Sequence, residues 1–124
     1  MEKVVDLKGW VSSEALGRIY NEADALILPT YSEGFPNVVL EAMYYGLPVI
    51  TTAVGNIPDV VQDQRNGYLV PPGNAGALAG AMKKTLGLSE EDFHRISSVN
   101  HKQVMADHDA GTLGEKMYSL LFSE

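Results

Sequence analysis

Three short apolar runs, spaced about 20 residues apart, most constrain the fold of this chain. They are residues 25–28, closed by Pro29, and residues 49–52 and 68–70. Runs of this length suit strands buried on both faces better than helices. Helix-compatible segments lie between them, and strands that alternate with helices form a parallel sheet with helices on both faces. The sequence therefore predicts an α/β fold.

The segments between these runs carry helix signals at their ends. Ser12 or Ser13 is suited to cap a helix that runs to Asn21, because a serine side chain accepts a hydrogen bond from a free N–H group at a helix start. The further predicted helices span residues 37–45, 58–61 and 75–86, and a last helical region begins after Ser89 and continues to residue 124 with a break near Gly111. Residues 4–7 are predicted to form one more strand before the first helix.

Charge and composition exclude several classes of function. The 124 residues carry a formal net charge of −7, which argues against nucleic acid or an anionic membrane as a partner, because either calls for a basic surface. The chain contains no cysteine, so thiolate chemistry is excluded and a reducing cytoplasm is the expected compartment. No apolar run approaches the roughly 20 residues that span a bilayer. We therefore expect one soluble domain or part of one.

Residues 31–41 connect the strand at 25–28 to the next helix and carry Glu33 and Glu41, eight positions apart. Gly34 permits a close approach of backbone, and Pro36 suits the first helical position. A helix start leaves N–H groups without partners and carries the positive end of the helix dipole. Ligands of parallel sheets bind outside the carboxyl ends of the strands. This segment is therefore predicted to hold an anion.

Glu41 is predicted to share a helix face with Val38 and Ala42, which suit contact with the sheet. A half-buried carboxylate needs hydrogen-bond donors, and the vicinal hydroxyls of a ribose or hexose would supply them. Spacing alone leaves other interpretations open, with Glu41 a partly exposed helix residue and Glu33 a solvated loop residue. A retaining glycosidase also uses two carboxylates, about 5 Å apart. This third interpretation is weaker, because nothing in the sequence makes Glu33 and Glu41 face a common point.

The succession of motifs around these glutamates resembles glycosyltransferase family 4, the group 1 glycosyl transferases of GT-B architecture. The E-x7-E pattern of residues 33–41 continues into Ala42-Met43 and residues 46–51. The resemblance extends to residues 9–11, 23–24, 29, 55–59, 66–67, 69–73, 77–78 and 81–82, and so covers about residues 4–86.

This resemblance implies that residues 1–124 form part of a C-terminal nucleotide-sugar-binding domain, a Rossmann-like half of a GT-B enzyme, with C-terminal helices over residues 89–124. It implies transfer of a sugar from a nucleoside-diphosphate donor, with retention at the anomeric carbon. Neither a metal nor another cofactor is expected. The base, the sugar and the acceptor are left unidentified, with a saccharide and a lipid-linked saccharide as the candidate acceptors.

The resemblance also implies roles for individual residues. Glu33 would be the catalytic residue that holds hydroxyls of the donor sugar, which is also lined by the backbone of Gly34, Phe35 and Pro36. The donor diphosphate would face the backbone N–H groups of Asn37, Val38 and Val39. Glu41 would hold the ribose hydroxyls, and the loop with Trp10 and Val11 would lie beside the base.

Two departures from the family pattern limit what can be carried over. Many relatives have Gly-Gly where this chain has Gly55-Asn56, and a glutamate in place of Asp59, so no contact is assigned to that loop. The resemblance also covers only the latter part of the second of two GT-B domains. No lysine or arginine lies between Arg18 and Arg65, so a diphosphate here would lack the cations that offset its charge.

We therefore expect the chain alone to be inactive and the protein carrying it to be the enzyme. A non-catalytic sugar-nucleotide-binding or interaction module is the alternative. Any membrane association would come through the missing N-terminal domain. In the six-strand order 3-2-1-4-5-6, residues 4–7 would form strand 3, separated from strands 4 to 6 by a gap. We expect this strand to pair beside residues 25–28, or the gap to be closed by chain swapping or oligomer formation.

Overall fold

The computed structural model describes Gly9 and residues 11–29, 37–55 and 57–107. The described elements are α1 (Ser13–Glu22), β1 (Leu26–Leu28), α2 (Asn37–Tyr44), β2 (Val49–Thr52), a 3-10 turn (Ile57–Asp59), β3 (Gly67–Val70), α3 (Ala75–Leu86) and α4 (Glu90–Asp107). The predicted alternation of strands and helices is confirmed. The predicted strand at residues 4–7, its pairing, and the helical region beyond residue 107 lie outside the described residues.

The three strands form one parallel sheet in the order β1-β2-β3. Ile27 pairs with Ile50 and Ile50 with Tyr68, so these three side chains share a face of the sheet. This order matches the predicted adjacency of strands 4, 5 and 6 in the doubly wound scheme. The parallel direction puts the carboxyl ends of all three strands at one edge.

Helices cover both faces of the sheet, as predicted. On one face, Val49 of β2 packs in a core with Tyr20 of α1, Val39 and Met43 of α2, and Val104 of α4. On the opposite face, α3 packs its small and aliphatic residues against β2 and β3, in a core formed by Ile50, Tyr68, Val70 and Ala81. Among the described residues the first core is the larger of the two, and Leu26 and Leu28 of β1 pack against it.

The predicted burial of residues 25–28 on both faces is wrong for Ile27. Its side chain is 39% exposed, whereas Ile50, its partner in the sheet, is fully buried. The reason is the position of α3, which contacts β2 and β3. Within the described part of the chain, the α3 face of β1 is left uncovered.

The end of α2 is set by Gly46, one residue beyond the predicted boundary of the helix at residue 45. Its φ of +79° lies in the left-handed region that glycine adopts readily. The N–H of Gly46 donates to the carbonyl of Met43, and the N–H of Leu47 donates to that of Ala42. This pair of bonds is the Schellman arrangement, which satisfies carbonyls left free at a helix end.

Side-chain caps begin three of the helices. Ser12 accepts a hydrogen bond from the N–H of Ala15 and so starts α1, which resolves the choice between Ser12 and Ser13. Asn74 and Ser89 accept equivalent bonds from Ala77 and Asp92 and start α3 and α4. The short helix expected at residues 58–61 is a 3-10 turn over Ile57–Asp59.

Candidate functional site

Glu41 is the charged side chain that the fold buries at the junction of α1 and α2. Only 7% of the residue is exposed, and its Oε1 accepts a 2.9 Å hydrogen bond from the hydroxyl of Tyr20. Tyr20 lies near the end of α1 and is itself 5% exposed. Glu41 is therefore more deeply buried than the half-buried position predicted from the sequence. The alternative interpretation, in which it is a partly exposed helix glutamate, is wrong.

Burial governs the protonation of this pair. Loss of solvent raises the pKa of the Glu41 carboxyl above its ordinary value, and the hydrogen bond from Tyr20 opposes that rise by stabilising the ionised form. Burial, and then the hydrogen bond and charge of Glu41, raise the pKa of Tyr20 well above its usual range. Tyr20 therefore stays protonated and donates its hydrogen to the carboxylate.

The first turn of α2 provides the backbone N–H groups that the sequence predicted. The helix begins at Asn37, so the N–H groups of Asn37, Val38 and Val39 have no partner four residues earlier within it. The helix follows β1 in the chain, and its first turn comes after the carboxyl end of that strand. Glu41 is the fifth residue of the helix, slightly more than one turn beyond its start.

Several predicted site residues lie outside the described residues. These are Trp10, Glu33, Gly34, Phe35 and Pro36. Val11 is described and immediately precedes Ser12, the cap of α1, where it is partly buried. The structure therefore describes Glu41, Val11 and the first turn of α2, and it does not describe how Glu33 faces them.

A pocket of about 300 Å³ lies at the carboxyl edge of the sheet. Pro29 follows β1, Thr52 ends β2 and Val70 ends β3, and all three line it together with the start of α3 at Asn74 and Ala75. Its position agrees with the rule that parallel sheets bind ligands at this edge. The described residues that line it include none from α1 or α2.

Tyr20 is the residue of this site that the sequence interpretation missed. The helical spacing of the sequence places Tyr20 only on an apolar stripe of this helix, with Leu16 and Ile19. The available signal was chemical, because a tyrosine on a buried helix face needs a partner for its hydroxyl, and a buried carboxylate needs donors. The spacing of residues along the sequence did not predict that α1 and α2 bring Tyr20 and Glu41 together, because the two residues are 21 positions apart.

No group of three or more histidine, aspartate and glutamate side chains placed to hold a metal ion occurs within the described residues. Across that same part of the chain, no helix combines the length and the apolar content that crossing a bilayer requires.

The family model described as "Glycosyl transferases group 1" matches residues 1–87 of the 124. The chain belongs to the group 1 glycosyl transferases. The match spans α1, β1, α2, β2, β3 and α3, and it therefore includes both Tyr20 and Glu41. The resemblance drawn from the motifs is confirmed at the level of the family.

Two proteins named as glycosyltransferases are similar to the chain. A D-inositol 3-phosphate glycosyltransferase of Mycobacteroides abscessus is 40% identical over 88 residues, which are 71% of this chain and 20% of that protein. The enzyme of the same name from Corynebacterium aurimucosum is 34% identical over 123 residues, 96% of this chain and 28% of that protein.

The solved sucrose-phosphate synthase of Thermosynechococcus elongatus superposes with a TM-score of 0.71 at 33% identity, covering 86% of this chain and 26% of that one. This likeness supports the GT-B architecture and the Rossmann-like character of the α/β fold. The chain spans less than a third of the length of each of these three proteins.

Proposed function

We propose that this chain supplies the donor-binding portion of a retaining glycosyltransferase, which transfers a sugar from a nucleoside-diphosphate sugar to an acceptor. The observation that supports this most is Glu41, a buried carboxylate that lies one turn beyond the N-terminus of α2. The helix start offers N–H groups for phosphate, and the carboxylate offers acceptors for the hydroxyls of a ribose. The N–H groups and the carboxylate lie one after the other along one helix, in the order in which a diphosphate and its ribose follow one another in one ligand.

The proposed roles follow this order along the segment. Glu33, with the backbone of Gly34, Phe35 and Pro36, would hold the donor sugar. The N–H groups of Asn37, Val38 and Val39 would face the diphosphate, Glu41 would hold the ribose, and Trp10 and Val11 would lie beside the base.

Catalysis in this proposal comes from positioning the donor and stabilising the departing diphosphate, not from a strong base. The donor is a substrate, and neither a metal nor another cofactor takes part. Cations for the diphosphate would come from outside residues 19–64, which contain no lysine or arginine.

The same lack of cations favours a second candidate, a module that binds a sugar nucleotide without transferring the sugar. A diphosphate carries at least two negative charges, and residues 19–64 offer it backbone dipoles but no full positive charge. Binding that is measurable but never followed by turnover in the protein carrying this chain would favour this candidate.

Titration calorimetry of UDP- and GDP-sugars with the protein carrying this chain, and with its Glu33→Ala and Glu41→Ala variants, tests the site, and turnover is measured alongside. We expect each variant to weaken donor binding by about tenfold or more, because a hydrogen bond to a charged group contributes about 1.5–3 kcal/mol. Glu22→Ala, at an exposed position of α1, is the matched control and should bind as the parent does. Unchanged affinity and unchanged turnover in both site variants would refute the assignment.

The stereochemical part of the proposal has its own test. NMR of the product formed by the protein carrying this chain, taken before the anomers equilibrate, should show the anomeric configuration of the donor. A product of the opposite configuration would leave the donor site standing and overturn retention.

A further inference from the structure

The hydroxyl of Tyr20 donates a hydrogen bond to the Glu41 carboxylate, with an O–O distance of 2.9 Å. We infer that Tyr20 is a positioning residue for Glu41, which it orients and holds in the hydrogen-bond-accepting state that a vicinal diol requires. The inference rests on the proposed function, because it concerns the same carboxylate, and it adds a residue of α1 to a site otherwise built on α2 and the loops.

The ring of Tyr20 is held so firmly that its hydroxyl has a defined direction. It is 5% exposed within the larger core, and it stacks on the ring of Tyr45, with centroids 5.2 Å apart and planes 17° apart. Tyr45 in turn meets the edge of Tyr44. The donor of the hydrogen bond is therefore fixed by packing and does not depend on a mobile side chain.

The chemistry of a diol requires Glu41 to be ionised. An ionised carboxylate only accepts hydrogen bonds and has about four acceptor positions, whereas a protonated one uses an oxygen as a donor. One O–H group from Tyr20 leaves acceptor positions for two hydroxyls of a ribose. Burial favours the protonated form, and the hydrogen bond from Tyr20 favours the ionised form. Tyr20 therefore opposes the effect that would disable the carboxylate.

The other elements packed around Glu41 bring no second group of this kind among the described residues. The charged residues of α1, Glu14, Arg18 and Glu22, are exposed. The strand beside α2, β2, consists of valine, isoleucine and threonine. From α4, the imidazole Nδ1 of His101 lies 2.7 Å from the carbonyl of Tyr44. Tyr45, on the same helix as Glu41, contributes a phenol whose pKa is raised chiefly by burial.

The decisive measurement is discrimination between ribose and deoxyribose. UDP and GDP, and their 2′-deoxy counterparts, are titrated by calorimetry into the protein carrying this chain, which is the parent for the variants below. The ratio of the dissociation constants of the ribonucleotide and its deoxy counterpart is taken for whichever base binds more tightly. We expect the parent to favour the ribonucleotide by about 10- to 100-fold, the contribution of one hydrogen bond to a charged group.

Three variants separate the roles. Glu41→Gln keeps an oxygen for Tyr20 but removes the charge, and it should abolish most of the discrimination. Tyr20→Phe keeps the ring but removes the donor, and it should lower the discrimination by about tenfold. It should also move to higher pH the acid limb of ribonucleotide affinity, which is the pH range in which affinity falls as Glu41 becomes protonated. Tyr68→Phe removes a phenol on the opposite face of the sheet and should change neither quantity.

The outcomes of the two site variants are distinguishable. If Glu41→Gln loses discrimination but Tyr20→Phe keeps both the ratio and the acid limb, Tyr20 is a structural cross-link and the inference is wrong. If Glu41→Gln keeps the ratio, or neither nucleotide binds the parent, the proposed ribose role of Glu41 fails and the inference falls with it. If Tyr20→Phe does not fold, 3-fluorotyrosine at position 20 preserves the shape and strengthens the donor. Its acid limb should then move to lower pH, and an unmoved limb would overturn the inference.

Discussion

The side-chain amide of Asn100 donates a 2.8 Å hydrogen bond to the carbonyl of Leu47, 53 residues earlier in the chain. The same nitrogen donates a 3.0 Å bond to the carbonyl of Asn66. These two carbonyls lie just before β2 and β3, so one fully buried side chain of α4 joins the entrances of two neighbouring strands.

Replacing this side chain should be costly. Asn100→Ala leaves two buried carbonyls without their donor, and we expect a loss of unfolding free energy on the order of 3 kcal/mol. Urea unfolding followed by circular dichroism measures it. Asn21→Ala, at an exposed position of α1, should change stability by less than about 0.5 kcal/mol. Equal effects of the two substitutions would show that the Asn100 bonds do not form in solution.

Gly46 offers a test of the end of α2. Gly46→Ala should lower stability by at least about 2 kcal/mol, because a left-handed φ costs a residue with a Cβ about 1–2 kcal/mol and the new Cβ would collide with the side chain of Ser97. Gly80→Ala is the matched control, since its Cβ would meet nothing within 4 Å. A glycine-to-alanine change inside a helix favours folding by about 0.5–1 kcal/mol, so thermal unfolding should shift in opposite directions for the two variants.

Ile27 and Ile50 form a matched pair on one face of the sheet. Ile50→Val removes a methylene from a fully buried site and should cost about 0.5–1.5 kcal/mol. Ile27→Val, at a position 39% exposed, should cost less than about 0.5 kcal/mol. Chemical denaturation of both variants checks the difference. Equal losses would mean that something covers this face of β1 in solution.

The pH dependence of stability should report the burial of Glu41. Burial raises its pKa above the ordinary value of 4.5, so the folded chain binds this proton more tightly than the unfolded chain does. The contribution of Glu41 to stability is therefore fully present below pH 4.5 and is lost as the pH rises through the folded pKa.

Glu41→Gln cannot ionise, so we expect its stability relative to the parent to improve as the pH rises from about 4 to about 7. Urea unfolding at both pH values measures the difference, and the exposed Glu22→Gln provides the control. A constant difference between parent and Glu41→Gln would contradict the raised pKa.

Tyr20→Phe should also be less stable than the parent. It leaves a buried carboxylate without its tyrosine donor, which costs about 1–3 kcal/mol at neutral pH. Below the pKa of Glu41 the loss should shrink, because a neutral carboxyl depends less on that donor. Thermal unfolding at the two pH values tests this. A loss that is the same at both would point to altered packing of the ring against Tyr45.

Local sequence signals were sufficient for most of the secondary structure of the described residues. Short apolar runs predicted β2 over residues 49–52, and the polar residues Ser12, Asn74 and Ser89 marked helix starts, because a cap depends on residues within one turn of it. The end of α2 was predicted one residue too late, since a helix end is set by a balance between the last turn and the left-handed glycine.

The features of the molecule also differ in whether one continuous segment is enough to predict them. Glu41 and the first turn of α2 follow from one continuous segment and its family resemblance. The exposure of Ile27, by contrast, depends on where α3 comes to rest on the sheet, and no pattern in residues 25–28 contains that information.

The sequence by itself determined the alternation of strands and helices, the parallel sheet, and the place of Glu41 just beyond a helix start, because each is encoded by neighbouring residues or a simple period. Only the tertiary structure decided that Tyr20 donates to Glu41 and that Asn100 joins two strand entrances. The Tyr20 bond spans 21 positions of the chain, and the two Asn100 bonds span 34 and 53 positions. Their partners are set by how the helices pack on the sheet.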